Sequence, residues 1–160
     1  SADLAKFWLL FSSMGINRYV MSVERTLAIL KPDLVESKKQ GLAIQRIVDE
    51  GFNILALRQT TLTRAQTEAF YAEHQEQFFF QRLCDFMCSG PLILLALERQ
   101  DAVAGFRKLL GATDPADAAE GTLRKEFGDH VSRNAAHGSD SVLNGQNECL
   151  FFFSGAELLK

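Results

Sequence analysis

Val23-Glu24-Arg25-Thr26-Leu27-Ala28-Ile29-Leu30-Lys31-Pro32-Asp33 decides how the chain begins to fold. Its first eight residues read as a β-strand. Lys31-Pro32-Asp33 closes that strand, because proline has no N–H to offer a ladder. From Gly41 to Glu50, Leu42, Ile44, Ile47 and Val48 recur at near-helical spacing, and Gly51 supplies a C-terminal stop. Phe52 to Thr60 is a second strand, with Phe52, Ile54 and Ala56 alternating against more polar neighbours. Thr63 starts a helix, capped by its own hydroxyl and supported by Gln66, and this helix carries Tyr71 and His74 near its end. Pro91 to Leu97 is almost entirely apolar, which predicts a strand buried on both faces. Ala102 to Leu110 reads as a helix bearing Arg107, and Cys149 to Phe153 as a final strand. Between them, Gly111 to Arg133 is a loop-rich insert with room for a short helix.

The predicted order β-α-β-α-β-α-β is that of an α+β sandwich, although pattern alone leaves a small doubly wound sheet open. No internal repeat, low-complexity tract or linker interrupts the chain, so its 160 residues make one domain with a proper core. A hydrophobic content of 47%, including thirteen Phe, excludes a disordered chain, and a net charge of −3 argues against nucleic acid as the main ligand. The basic residues are clustered locally, as suits a small anion. Cys84, Cys88 and Cys149 are odd in number and form no CxxC pair. Reduced thiols in a cytoplasmic protein are therefore expected, with Cys84 and Cys88 on one helix face. Residues 1–20 read as an N-terminal extension, partly disordered or added in cloning, ahead of a domain over residues 21–160. The run Phe7-Trp8-Leu9-Leu10-Phe11 is too short to span a bilayer, so no membrane association is expected.

Chemistry concentrates in Arg133-Asn134-Ala135-Ala136-His137-Gly138-Ser139-Asp140-Ser141. Glycine beside histidine leaves room for a ligand at one imidazole nitrogen. Arg107, Arg124 and Arg133, with Thr113 between them, could form an anion site. A histidine facing phosphate suggests a nucleophile for phosphoryl transfer. Taken alone, a histidine in a polar loop is more often a bystander.

From Glu24 to the C-terminus the chain resembles the nucleoside diphosphate kinases in ordered blocks. These are Glu24 to Asp33, Phe70-Tyr71-Ala72-Glu73-His74, Phe86-Met87-Cys88-Ser89-Gly90-Pro91, Leu110 to Ala116, Gly121-Thr122-Leu123-Arg124 and Asn134 to Ser141. The last is the family's active-site signature. The resemblance implies a ferredoxin-like, four-stranded antiparallel sheet covered by helices. It also implies ping-pong transfer of the γ-phosphoryl group of a nucleoside triphosphate, mainly ATP, to a nucleoside diphosphate, with broad base specificity. The chain has no P-loop and no kinase Gly-rich loop, so side chains must hold the phosphates.

Residue by residue, the resemblance makes His137 the nucleophile, Glu148 the carboxylate on its other ring nitrogen, and Ser139 the partner of Glu148. Lys31, Arg107 and Arg124 correspond to cationic phosphate ligands, and Thr113 and Tyr71 to hydroxyl donors. Asn134 and Lys31 match contacts to the sugar hydroxyls, and His74 a contact to the β-phosphate. Phe79 matches the aromatic on which the base stacks, with Leu83 and Val131 in the same slot. Mg2+ would bridge the phosphates, with Asp140 reaching it through water. The family builds tetramers or hexamers from dimers, and the short run after the last predicted strand leans towards a tetramer. The chain departs from the family pattern at Phe78, where proline usually precedes the paired phenylalanines, and at Ser132 and Arg99, where glycine is common. Loss of the proline is expected to loosen the base-stacking edge, and a lost positive-φ glycine to introduce strain.

Overall fold

The computed structural model describes residues 22–159. The extension expected over residues 1–20 lies outside them. In chain order the elements are β1 (Val23–Leu30), α1 (Pro32–Glu36), α2 (Gln40–Asp49), β2 (Asn53–Thr60), α3 (Arg64–Phe70), α4 (Phe80–Met87), β3 (Leu92–Gln100), α5 (Ala102–Leu110), α6 (Leu123–Phe127), β4 (Ala136–Gly138) and α7 (Val142–Phe152). Short 3-10 turns occupy Ala72–His74 and Ala156–Leu158.

The four strands pair antiparallel in the order β2-β3-β1-β4, which is the ferredoxin-like arrangement. β1 and β3 are interior strands, and alternation sends their side chains to opposite faces. Leu27 and Ile29 of β1 join Leu92, Leu94 and Ala96 of β3 in one buried cluster. Ala28 and Leu30 join Ile93, Leu95 and Leu97 in the other. Both faces are therefore apolar, which is why the run after Pro91 shows no polar alternation.

Helices cover each face. α2 contributes Ala43 and Ile47, and α5 contributes Ala102, Phe106 and Leu109, to the cluster around Leu30. α4 buries Phe80, Cys84 and Met87 on the opposite face, where α7 adds Cys149. α7 lies hard against β1 because Gly145 has no side chain; a Cβ there would sit 2.1 Å from the Arg25 carbonyl oxygen. That approach sets the position of Glu148, one helical turn further on.

Several expectations hold closely. α3 carries the full capping box, with Thr63 Oγ1 accepting from Gln66 N at 3.1 Å and Gln66 Oε1 from Thr63 N at 2.9 Å. α2 stops before Gly51, which adopts φ +80°. Cys88, expected on one helix face with Cys84, lies instead just past α4 as its C-cap, and its thiol donates to the Cys84 carbonyl at 3.0 Å.

Others are corrected. Cys149 to Phe153 is not a strand; it ends α7, whose start is capped by Ser141 Oγ accepting from Asn144 N at 3.1 Å. The fourth strand is instead β4, which is only three residues long and carries His137 opposite Ile29 of β1. α3 ends at Phe70, so Tyr71 is its C-cap and His74 lies on the following 3-10 turn. Ser132 and Arg99 are not among the positive-φ residues, so the strain expected there is absent.

Candidate active site

The end of β1 and the start of β4 meet at Lys31. Its backbone N–H donates to the Ala135 carbonyl at 2.8 Å, and Nζ donates to Asn134 Oδ1 at 2.6 Å. Asn134 in turn donates through Nδ2 to the Thr113 carbonyl at 2.9 Å. Lys31, Thr113 and Asn134, which are distant in sequence, thus share one wall. Asp33 Oδ2 accepts from Ala135 N at 2.9 Å, which holds Ala135 at φ 69°, just ahead of β4. Arg124, on α6, donates to the carbonyls of Gly111 and Ala136, each at 3.1 Å. Gly111 permits this with φ +86°, and a Cβ there would meet Thr122 Oγ1 at 2.5 Å.

His137 presents its ring between these cations and α7. Nε2 lies 2.5 Å from Glu148 Oε1, and that oxygen also accepts from Ser139 Oγ at 3.2 Å. Ser139 Oγ accepts in turn from Leu27 N at 3.0 Å, so the relay is anchored in the central strand. Phe70 and Tyr71 meet the imidazole edge-on, at centroid distances of 5.6 and 6.5 Å. Among the described residues, Nδ1 has no partner.

A cavity of about 590 Å³ opens in front of that ring. Its polar wall carries Lys31, Tyr71, Thr113, Arg124, Asn134 and His137. Its apolar end is formed by Phe79, Leu83, Phe86 and Val131, with Phe78 at the mouth. A smaller space on the other side of His137 is lined by Tyr71, His74, Asp140 and Glu148.

The family model described as nucleoside diphosphate kinase matches residues 24–158. The chain belongs to the nucleoside diphosphate kinase family. Proteins named nucleoside diphosphate kinase from Salinibacter ruber and Chloroherpeton thalassium are similar to it. The first is 49% identical over 87% of this chain and 98% of that protein, the second 51% over 84% and 96%. The solved nucleoside diphosphate kinase of Aquifex aeolicus superposes with a TM-score of 0.84 at 41% identity, covering 86% of this chain and all of that one. The chain is thus a phosphotransferase of this family, with the fold of the Aquifex aeolicus protein.

Within this nucleoside diphosphate kinase fold, electrostatics separate the residues further. Burial, reinforced by repulsion from Arg124, lowers the Lys31 ammonium to about 8, against partial relief from Asp33. Burial and the neighbouring Arg107 bring Arg124 down to about 10. A positive field only partly offset by Asp33 suits a polyanion. Burial, and then Glu148, push the Tyr71 phenol above its ordinary value, so it stays protonated and can donate. Asp140 is held below the usual carboxylate range chiefly by Asn144 Nδ2, which donates to it at 2.6 Å.

Arg107 does not line the cavity; it stands on the exposed side of α5, close enough to act on Arg124 and Asp140. Arg133 does line the cavity, where its guanidinium lies over the Phe86 ring and pairs with Glu36 at 2.9 Å. His74 sits beside Glu73 at 3.5 Å and faces the smaller space. Three residues of the site escape sequence reasoning: Asp33, which anchors Ala135, and Arg82 and His130, which flank the apolar slot. Their roles depend on tertiary neighbours, and no local pattern signals them. Among the described residues, no cluster of His, Cys, Asp and Glu could cage a metal. Asp140 is an exposed carboxylate at the side of His137, which suits an ion held by ligand phosphates and touched through water.

Proposed function

We propose that the protein transfers the γ-phosphoryl group of a nucleoside triphosphate, mainly ATP, to a nucleoside diphosphate by a ping-pong route through phosphorylated His137. The reading rests on one observation: Glu148 engages Nε2 at 2.5 Å, which leaves Nδ1 as the free nitrogen of a histidine lining a cavity whose wall carries Lys31, Thr113 and Arg124. The Nδ1 lone pair forms a bond to the γ-phosphorus as the P–O bond to the β-phosphate breaks, and the nucleoside diphosphate leaves with that electron pair. A second diphosphate reverses the step through its terminal oxygen. Splitting one transfer into two lets both substrates use one site.

Glu148 and Ser139 fix the imidazole tautomer and orientation, as the carboxylate partner of a nucleophile or base does. Lys31, Arg107 and Arg124 stabilise the charge on the phosphates, with Thr113 and Tyr71 donating hydroxyl bonds, the latter to the group in transit. Asn134 and Lys31 take the sugar hydroxyls, and His74 the β-phosphate. The base stacks on Phe79 between Leu83 and Val131. Stacking uses a π-face that every base has, which supports broad base specificity. Asp140 would hold a bound Mg2+ through water, and the ion would offset negative charge on the phosphates. The exposed outer edge of β2, where Leu57 is 47% accessible, supports a homo-oligomer built from dimers. Free thiols at Cys84, Cys88 and Cys149 support a reducing, cytoplasmic setting. No described helix is long and apolar enough to cross a membrane.

Turnover of GDP with Mg-ATP tests the reading. Saturating ATP and GDP series should give parallel double-reciprocal lines; intersecting lines would mean a ternary complex without a phosphorylated enzyme.

A further inference from the structure

Phe78 is the most exposed large apolar side chain among the described residues, at 92% of its accessible surface, although it packs next to the slot assigned to the base. A phenylalanine so placed contributes nothing to the core and leaves its ring in water. The backbone on either side of it is nonetheless tied down. Gln77 N donates to the His74 carbonyl at 2.9 Å, Phe80 N to Gln77 at 3.0 Å and Leu83 N to Phe79 at 2.9 Å, so the turn is pinned on both sides. The turn is thus held by backbone hydrogen bonds on either side of the position where the family pattern has proline.

The ring meets Phe79 at a centroid distance of 5.5 Å and an interplanar angle of 84°. His130 and Val131, the latter 52% exposed, stand with it among the residues lining the cavity. A flat ring stacked on Phe79 would therefore meet Phe78 at a right angle, an arrangement favoured between π-systems.

We propose that Phe78 is a second, perpendicular wall of the base slot, which closes over the edge of the nucleobase and raises affinity for nucleotides over phosphates lacking a base. This rests on the nucleotide reading above. The ring loses water contact only when a base is present, so its contribution belongs to binding and leaves the phosphoryl chemistry untouched.

The test compares wild-type protein with Phe78→Ala and Phe78→Tyr, using GDP, CDP and ribose 5-diphosphate as acceptors from the phosphorylated enzyme. For Phe78→Ala we expect KM for GDP and CDP to rise about three- to tenfold, with kcat within twofold and KM for ribose 5-diphosphate unchanged; Phe78→Tyr should restore wild-type KM. Unchanged KM for both nucleotides in Phe78→Ala would overturn the assignment. So would an equal rise for ribose 5-diphosphate, which would mean that the ring only supports the turn. A change in oligomeric mass with unaltered KM would also overturn it, by making Phe78 a contact between copies. Absence of phosphorylated wild-type enzyme would instead count against the nucleotide reading itself.

Discussion

Glu148 Oε1 lies 2.5 Å from His137 Nε2, eleven residues away in sequence and on a different element. The distance is set by backbone packing: Gly145 seats α7 on β1, while β4 pairs with β1 from the adjoining edge. Both residues therefore take their positions from the same central strand. Ser139, bound to Leu27 N, ties the pair to that strand a third time.

Replacing His137 by Ala should abolish phosphoryl transfer and leave nucleotide binding within a few fold, since the cationic wall does not depend on the ring. Calorimetric titration with ADP checks the binding, and a coupled assay the turnover. Retained wild-type turnover would show that the nucleophile lies elsewhere.

Glu148→Gln keeps an oxygen near Nε2 but removes the charge. We expect kcat to fall at least about tenfold, equivalent to roughly 1.4 kcal/mol in the barrier, with KM little changed. Glu148→Ala should fall further. Steady-state kinetics on the two variants tests this order.

Lys31 titrates at about 8 in the fold against an ordinary 10.5, because burial disfavours its charge. The free enzyme should lose the cation as pH rises through about 8, so kcat/KM for ATP should decline there, and Lys31→Arg should not show that decline. The stability effect has the opposite sense. Between the two values the unfolded chain binds more protons than the folded one, so this group makes stability rise with pH across about 8 to 10.5. Urea titrations of wild type and Lys31→Met should diverge across that window in favour of the wild type; parallel curves would contradict the burial of this charge.

Phe79→Ala should weaken purine and pyrimidine nucleotides alike, by about 1–3 kcal/mol, since stacking barely distinguishes bases. Competition binding with GDP, ADP, CDP and UDP reads this out. A large loss confined to one base would mean that hydrogen bonds from residues such as Arg82 or His130 govern recognition.

Gly145→Ala would force a Cβ against the Arg25 carbonyl at 2.1 Å. Overpacking of this kind should destabilise the fold by about 1–3 kcal/mol and move Glu148 away from His137. Equilibrium denaturation and turnover should both fall; an unaffected variant would show that α7 can shift freely.

Much of the fold was legible where the signals are local. The apolar runs of β1 and β3 and the Thr63–Gln66 capping box declare themselves within a few residues. The fourth strand did not. β4 is three residues long and exists because β1 offers it an edge, a relationship with no local signature. Cys149-Leu150-Phe151-Phe152-Phe153 was misread because a short apolar run fits a strand or a buried helix end equally. In the site, the set around His137 follows from motif resemblance, whereas the bond from Lys31 to Asn134 and the service of Asp33 to Ala135 span more than one hundred residues of sequence. Such contacts emerge only from the folded chain.

The central claim is that His137 carries the phosphoryl group between two nucleotides. Purified protein should be incubated with γ-labelled Mg-ATP, freed of nucleotide, and then given GDP. The account predicts an acid-labile, alkali-stable label on His137 that passes quantitatively to GTP. Absence of label, or label released only to water, would contradict it.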